Sequence, residues 1–205
     1  MNTIITIGRQ YGSGGIAIGK ILSEKLSIPC YDKELINLAS CESGLCKEFF
    51  EKADEKKSFR FFGNIFGFRT EGLENTSLLS DETLFKIQSD VIKNLAQKES
   101  CIIVGRCADY ILRNEENVLK IFISANINDR ISTISSRNCC TEKEAKSVIE
   151  QADKKRADYY NFYSGKTWGS AKNYDLCINS SVLGIEKTAE FIEEFVKLKV
   201  MKFNG

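Results

Sequence analysis

The chain has 205 residues, 42% hydrophobic and 28% charged, enough for one well-buried domain with a lid and too few for two full-sized catalytic domains. Its 29 Lys+Arg against 28 Asp+Glu leave a formal charge of +1, which argues against a global bias toward nucleic acid polymers or anionic membranes, so any anion site must be local. Histidine is absent, which removes Ser-His-Asp and Cys-His nucleophiles, His-ligated zinc and histidine general bases.

The opening MNTIITIGRQ runs straight into a strand pattern with no basic leader or cleavage site. The apolar, β-branched run Thr3 to Gly8 breaks into Arg9-Gln10-Tyr11-Gly12-Ser13-Gly14-Gly15 and then an amphipathic stretch from Ile16 to Leu26, which reads as strand, glycine loop, helix. Further short strands are expected at Ile28 to Tyr31, Cys101 to Gly105, Val118 to Ser124 and Tyr174 to Asn179. Between them, Leu84, Ile87, Val91 and Leu95 share one helical face behind a Ser80-Asp81-Glu82 start. Thr141-Glu142-Lys143-Glu144 fits a capping box for a helix running toward Tyr160, and Ile185, Ala189, Ile192 and Val196 stripe a C-terminal helix. Compact apolar runs that lack period-2 alternation and alternate with helices predict an α/β fold, a five-stranded parallel sheet covered on both faces. Residues 40–80 mix charges, glycines and the tract Phe59-Arg60-Phe61-Phe62, and are read as an insertion in a single domain spanning 1–205. Eight cysteines without CxxC pairing, and no apolar run near the roughly 18 residues of a membrane span, fit a reduced, cytoplasmic protein.

A glycine loop between a first strand and a helix can turn several N–H groups inward, and the helix N-terminus adds partial positive charge for a phosphate. The backbone from Gly12 through Ser13, Gly14, Gly15 and Ile16 is the candidate phosphate cradle. Laid over a P-loop, Gly15 stands where a lysine is usual and Ile16 where a Ser or Thr hydroxyl would meet Mg²⁺. Gly14 to Lys20 also spells G-x-x-x-x-G-K, but that match lies too far beyond the strand, so Lys20 belongs to the helix surface. Arg9, inside the loop and with a planar fork suited to phosphate oxygens, is the candidate replacement cation. The alternative for the loop is a tight turn with glycines at positive φ.

The chain resembles the cytidylate kinase-like family, within the P-loop nucleoside monophosphate kinases. The likeness rests on ITIGRQYGSGGIAIGKILSEKL at 4–26, IPCYDKELI at 28–36 and IIVGRCADYIL at 102–112, with ADKKRADYY at 152–160 and YDLCINSSVLGIEKTAEFI at 174–192 agreeing. That resemblance implies ATP at the first loop, a CMP-like or dCMP-like monophosphate acceptor across the cleft, Mg²⁺ as companion ion and a mobile lid over about 137–170. Small-molecule nucleotides are then the partners, with no nucleic acid polymer and no membrane.

Phosphoryl transfer between anions asks mainly for positioned cations. Arg106, at the C-terminal end of the third strand, is a candidate for the acceptor phosphate, or alternatively pairs with Asp109, itself a candidate acceptor contact. Asp32, in the tract YDKELI that carries part of the resemblance, accepts from an acceptor hydroxyl or from metal-bound water, or alternatively caps a helix. Asp153 and Arg156 share a helical face, which by spacing alone reads as a local ion pair; they also resemble a D-x-x-R lid tract, which implies that Arg156 closes on the transferring phosphates and Asp153 orients it. Arg137 is a second lid candidate, or stabilises a helix C-terminus. Arg130 and Lys120 read as solvated charges, Tyr159, Tyr160, Tyr163 and Trp168 as packing, and Gly165 and Gly169 as hinges. The aromatic-basic cluster from Phe59 to Arg69 is a core or interface element with stacking on a base as the alternative. No metal-ligand set is expected, Cys139-Cys140 included.

Overall fold

A computed structural model describes residues 2–33, 36 and 81–203. The expected insertion, its Phe59–Arg69 cluster and the Ser80 cap lie outside these residues. The described strands β1 (Ile4–Arg9), β2 (Cys30–Tyr31), β3 (Cys101–Val104), β4 (Val118–Ser124) and β5 (Leu176–Asn179) form one parallel sheet in the order β2-β3-β1-β4-β5. The described helices are α1 (Gly15–Leu26), α2 (Asp81–Lys98), α3 (Ala108–Ile111), α4 (Ile127–Asn138), α5 (Glu142–Ser164) and α6 (Ser180–Phe203).

The central strands β1, β3 and β4 are covered on both faces, as a parallel sheet carrying helices on each side requires, while β5 at the edge leaves Cys177 exposed. Ile5, Ile7, Ile102, Val104, Leu119, Ile121 and Ile123 point to one face and pack with Ile18 and Leu22 of α1 and Ala189, Ile192 and Val196 of α6. The intervening residues Ile4, Cys101, Ile103 and Val118 point to the other, against Ile92 and Ala96 of α2 and Ala108 and Ile111 of α3. A third, smaller cluster of Ile134, Ala145 and Ile149 joins α4 to α5 and takes in Tyr11 from the glycine loop. The α4–α5 hairpin is thereby fastened to that loop. Among the described residues no helix is long and apolar enough to cross a membrane.

Element boundaries moved where chemistry required it. The second strand shortens to Cys30–Tyr31 because Pro29 lacks an N–H, although its carbonyl still accepts from Ile102 N–H at 2.8 Å. Tyr174 drops out of β5 and tilts against Phe122, ring centroids 5.0 Å apart. Helix α5 starts on the expected capping box, with Thr141 Oγ1 accepting from Glu144 N–H at 3.3 Å and Glu144 Oε2 accepting from Thr141 N–H at 2.9 Å. It ends at Gly165 in the left-handed region. Gly184, at φ 78°, breaks α6 into two segments ahead of its apolar stripe.

Candidate active site

The loop after β1 is built to leave amides unfilled. Gln10 N–H donates to Ile123 O, Tyr11 N–H to Asp153 Oδ1 at 2.7 Å, and Ser13 N–H to Gln10 O at 3.3 Å. The N–H groups of Gly12, Gly14, Gly15 and Ile16 have no acceptor among the described residues. Gly12 and Gly14 reach this shape at φ 81° and 77°, and Gly14 is the N-cap of α1, so the open amides sit at the positive end of a helix. Ser13 departs from its expected role: its hydroxyl donates to Gln10 O at 2.9 Å and its carbonyl accepts from Ser180, so it braces the cradle. Ile16 is 41% exposed and offers no hydroxyl.

Glycine at 15 has a steric cause. A Cβ there would lie 2.7 Å from Arg9 Cβ and 2.9 Å from Arg9 Cγ, so the stem of Arg9 fills the space a P-loop lysine would start from. The Arg9 guanidinium continues to Gly105, where a Cβ would overlap Nη1. Its Nε is buried without a partner among the described residues. Burial, then repulsion from Arg156 and Arg106, holds the Arg9 pKa down to about 10, with Asp32 opposing.

Arg106 follows Gly105 in a turn where Gly105, Arg106 and Cys107 are consecutively left-handed, at φ 83°, 56° and 56°. Two non-glycine residues in that region cost of order 1–3 kcal/mol each and mark a turn held for a purpose. Arg106 Nη2 donates to Gln88 Oε1, and its guanidinium lies 5.1 Å from the centroid of the Tyr159 ring. The alternative pairing with Asp109 is not formed. Asp109 instead accepts from Tyr160 Oη at 2.7 Å, and burial raises its pKa.

From the lid side, Arg156 Nη1 donates to the carbonyl of Arg9 at 2.9 Å and, like Arg137, lies over the Tyr11 ring, at 5.2 and 5.1 Å from its centroid. Burial lowers the Arg156 pKa. Arg137 also donates to the Tyr11 hydroxyl and is otherwise exposed. Asp153 does not hold Arg156 by a hydrogen bond: its carboxylate accepts from Tyr11 N–H and pairs with Arg130. Arg130 corrects the solvated reading, for its side chain is 6% exposed and its Nε donates to Tyr11 O at 2.8 Å. Arg130 and Asp153 therefore grip both backbone groups of Tyr11.

Arg9, Arg106 and Arg156 line one cavity of about 370 Å³, with Lys33, Lys155 and Asp109 also on its wall. Tyr159, Tyr160 and Trp168, expected as packing, line it too. None of the three arginines has a salt bridge among the described residues. Asp32 lies near enough to act on Arg9, and its carbonyl accepts from Ile36 N–H at 2.9 Å, as at a helix start. Gln88 and Arg130 are the residues that sequence reading passed over. Their signal was a polar side chain set into an apolar stripe: Gln88 between Leu84 and Val91, Arg130 four residues before Ile134. Among the described residues no cluster of three or more acidic or thiol groups is placed to hold a metal ion.

A model of the cytidylate kinase-like family matches residues 4–182. A cytidylate kinase of Archaeoglobus fulgidus is 27% identical over 206 residues, covering 97% of both chains. A crystal structure of an uncharacterized protein from Eubacterium ventriosum superposes with a TM-score of 0.73 at 27% identity, covering 96% of this chain and 99% of that one. A shikimate kinase from Bacteroides thetaiotaomicron shares the fold, with a TM-score of 0.53 at 14% identity over 95% of this chain and 98% of that one.

Proposed function

The chain belongs to the cytidylate kinase-like family, and on that premise we propose that it is an ATP-dependent phosphotransferase whose acceptor is a nucleoside monophosphate, CMP or dCMP foremost. The observation that carries this reading is the convergence of Arg9, Arg106 and Arg156 on one cavity, without salt bridges, beside a row of open amides.

The amides of Gly12 and of Gly14 through Ile16, at the N-terminus of α1, suit the donor's inner phosphates. Arg9 lies between that cradle and Arg106, where the transferring group passes. Arg106 takes the acceptor phosphate in a planar fork, and Arg156 closes from the lid, proposed to span about 137–170. The attacking atom is a phosphate oxygen already ionised at neutral pH, so no general base is needed. Catalysis is positioning plus cations around spreading charge, and one well-placed arginine contributes about 10³ to 10⁵ in rate. The Mg²⁺ that accompanies ATP finds no fitting ligand set in the described residues, with Ile16 in place of the hydroxyl, and no step is assigned to it. Arg137, on the outer side of Tyr11, supports the loop. A reduced cytoplasmic setting fits such substrates.

Ile16 and Gly15 favour one rival, a nucleotide-binding regulatory module with little turnover. The test is ADP release with ATP against CMP, dCMP, UMP and AMP. Acceptor-dependent release with CMP or dCMP ahead supports the kinase, whereas ATP binding with no acceptor-dependent release sinks it in favour of the rival.

A further inference from the structure

We infer that Gln88 is a positioning residue that keeps Arg106 aimed at the acceptor phosphate without setting a countercharge beside it, an assignment that rests on the reading of Arg106 above. Gln88 stands on α2 with 1% exposure, in a stripe whose neighbours Ile87, Val91 and Ile92 are apolar. A buried amide in such a place is costly unless its groups are bonded, so its retention calls for a partner of consequence. That partner is Arg106, whose Nη2 donates to Gln88 Oε1. The Tyr159 hydroxyl donates to the same oxygen at 3.4 Å. Because arginine carries only donors, the amide atom it faces must be the oxygen.

The juncture fixes Arg106 in two directions. Gln88 holds the guanidinium in its plane from α2, and Tyr159 of α5 covers its face. Arg106 Nε is buried without a partner among the described residues, and Arg106 lines the cavity. With one Nη2 hydrogen on Gln88, the fixed guanidinium keeps further N–H donors for a phosphate oxygen.

What distinguishes Gln88 from a salt-bridge partner is charge. A carboxylate at this position would orient Arg106 equally well and would neutralise it, as Asp153 neutralises Arg130. An incoming phosphate would then displace an existing ion pair and suffer repulsion from the carboxylate. A neutral amide orients the fork without competing for its charge. Glu in place of Gln is isosteric, so the substitution separates orientation from charge.

The experiment compares wild type, Gln88→Glu and Gln88→Met, each titrated with inorganic phosphate while the Arg106 Nε–H resonance is followed by NMR, its assignment fixed by Arg106→Lys. Thermal unfolding and ATP affinity are measured alongside. Loss of one charge-assisted contact is worth roughly 10- to 100-fold in affinity. Gln88→Glu should weaken phosphate at Arg106 by about that factor while its melting temperature holds or rises and ATP affinity stays at the wild-type value. Gln88→Met should show a smaller loss, from disorder of the fork alone. Equal phosphate affinity in wild type and Gln88→Glu overturns the assignment, as does a wild-type Arg106 signal that ignores phosphate. So does a loss of affinity that only tracks a fall in melting temperature. If the kinase reading fails instead, phosphate still perturbs Arg106 and no nucleotide is phosphorylated.

Discussion

Replacing Gly15 with alanine tests whether Arg9 occupies the room that a lysine uses in other P-loops. Gly15 does not have positive φ, so no backbone strain accompanies the change and the effect is steric. The new Cβ would meet Arg9 Cβ at 2.7 Å and Cγ at 2.9 Å, whereas carbon atoms rest at about 3.5–4.0 Å, so the overlap is about 1 Å. Both atoms belong to the base of the Arg9 side chain, which cannot swing away as a long tip would. Overpacking of this kind costs about 1–3 kcal/mol, or about 2–12 °C in melting temperature at this chain length. Arg9→Gly removes both contact atoms. In a double-mutant cycle by thermal unfolding, Gly15→Ala should therefore destabilise the wild type by that amount and the Arg9→Gly background hardly at all, a coupling of about 1–3 kcal/mol. Additive effects would refute the argument, because they would mean that the two residues do not compete for space. The same logic extends to activity: Gly15→Lys in the Arg9→Gly background should regain part of the transfer rate that Arg9→Gly loses.

Arg106→Ala breaks no ion pair but takes the arginine donor from the buried Gln88 oxygen, so acceptor-dependent turnover should fall about 10³-fold or more against a stability loss of only about 1–3 kcal/mol; a turnover loss no larger than the fall in stability explains would assign Arg106 to packing. Asp153→Ala leaves Arg130 as a buried unpaired charge and Tyr11 N–H without its acceptor, so unfolding measurements should show a loss of about 3–5 kcal/mol, whereas a solvated Arg130 would predict almost none. Asp109 holds its proton more tightly folded than unfolded, since burial raises its pKa from the usual 3.8. Its contribution to stability is therefore greatest below pH 3.8 and is lost as pH rises through the folded value. Asp109→Asn, whose amide oxygen still accepts from Tyr160, should melt higher than wild type at pH 7 and converge with it near pH 3; parallel curves across that range would contradict the burial argument.

The sheet was legible because each strand is a compact apolar run and each helix carries a local stripe or cap. Thr141 with Glu144, and Ile185 with Ala189, Ile192 and Val196, are readable within a single element. The glycine loop was legible for the same reason; Arg9, read as part of that loop, is instead the last residue of β1 at its entry. What lay beyond reading was the choice of partner across elements. Asp153 and Arg156 share a helical face, and spacing alone suggested that one holds the other. The carboxylate turned instead to Arg130, 23 residues away, because the α4–α5 hairpin buries that arginine and an unpaired buried charge is expensive. Local periodicity has no means of reporting which long-range partner wins.

That competition also sorts the arginines by role. Arg130 is nearly buried and neutralised by a carboxylate, so its charge is consumed in holding Tyr11 and the loop. Arg106 leans on an amide oxygen and Arg156 on a backbone carbonyl, while Arg9 Nε has no partner among the described residues. Neutral acceptors fix geometry and leave the charge in place. Three such cations in one cavity repel one another, which is part of why the Arg9 pKa is down to about 10. An arrangement that costs the protein stability when empty gains most when an anion enters, because the same phosphate relieves all three repulsions at once. On the proposed function the substrate supplies the negative charge that folding withheld, and binding strength and transfer rate should both fall whenever a carboxylate is placed among these three side chains.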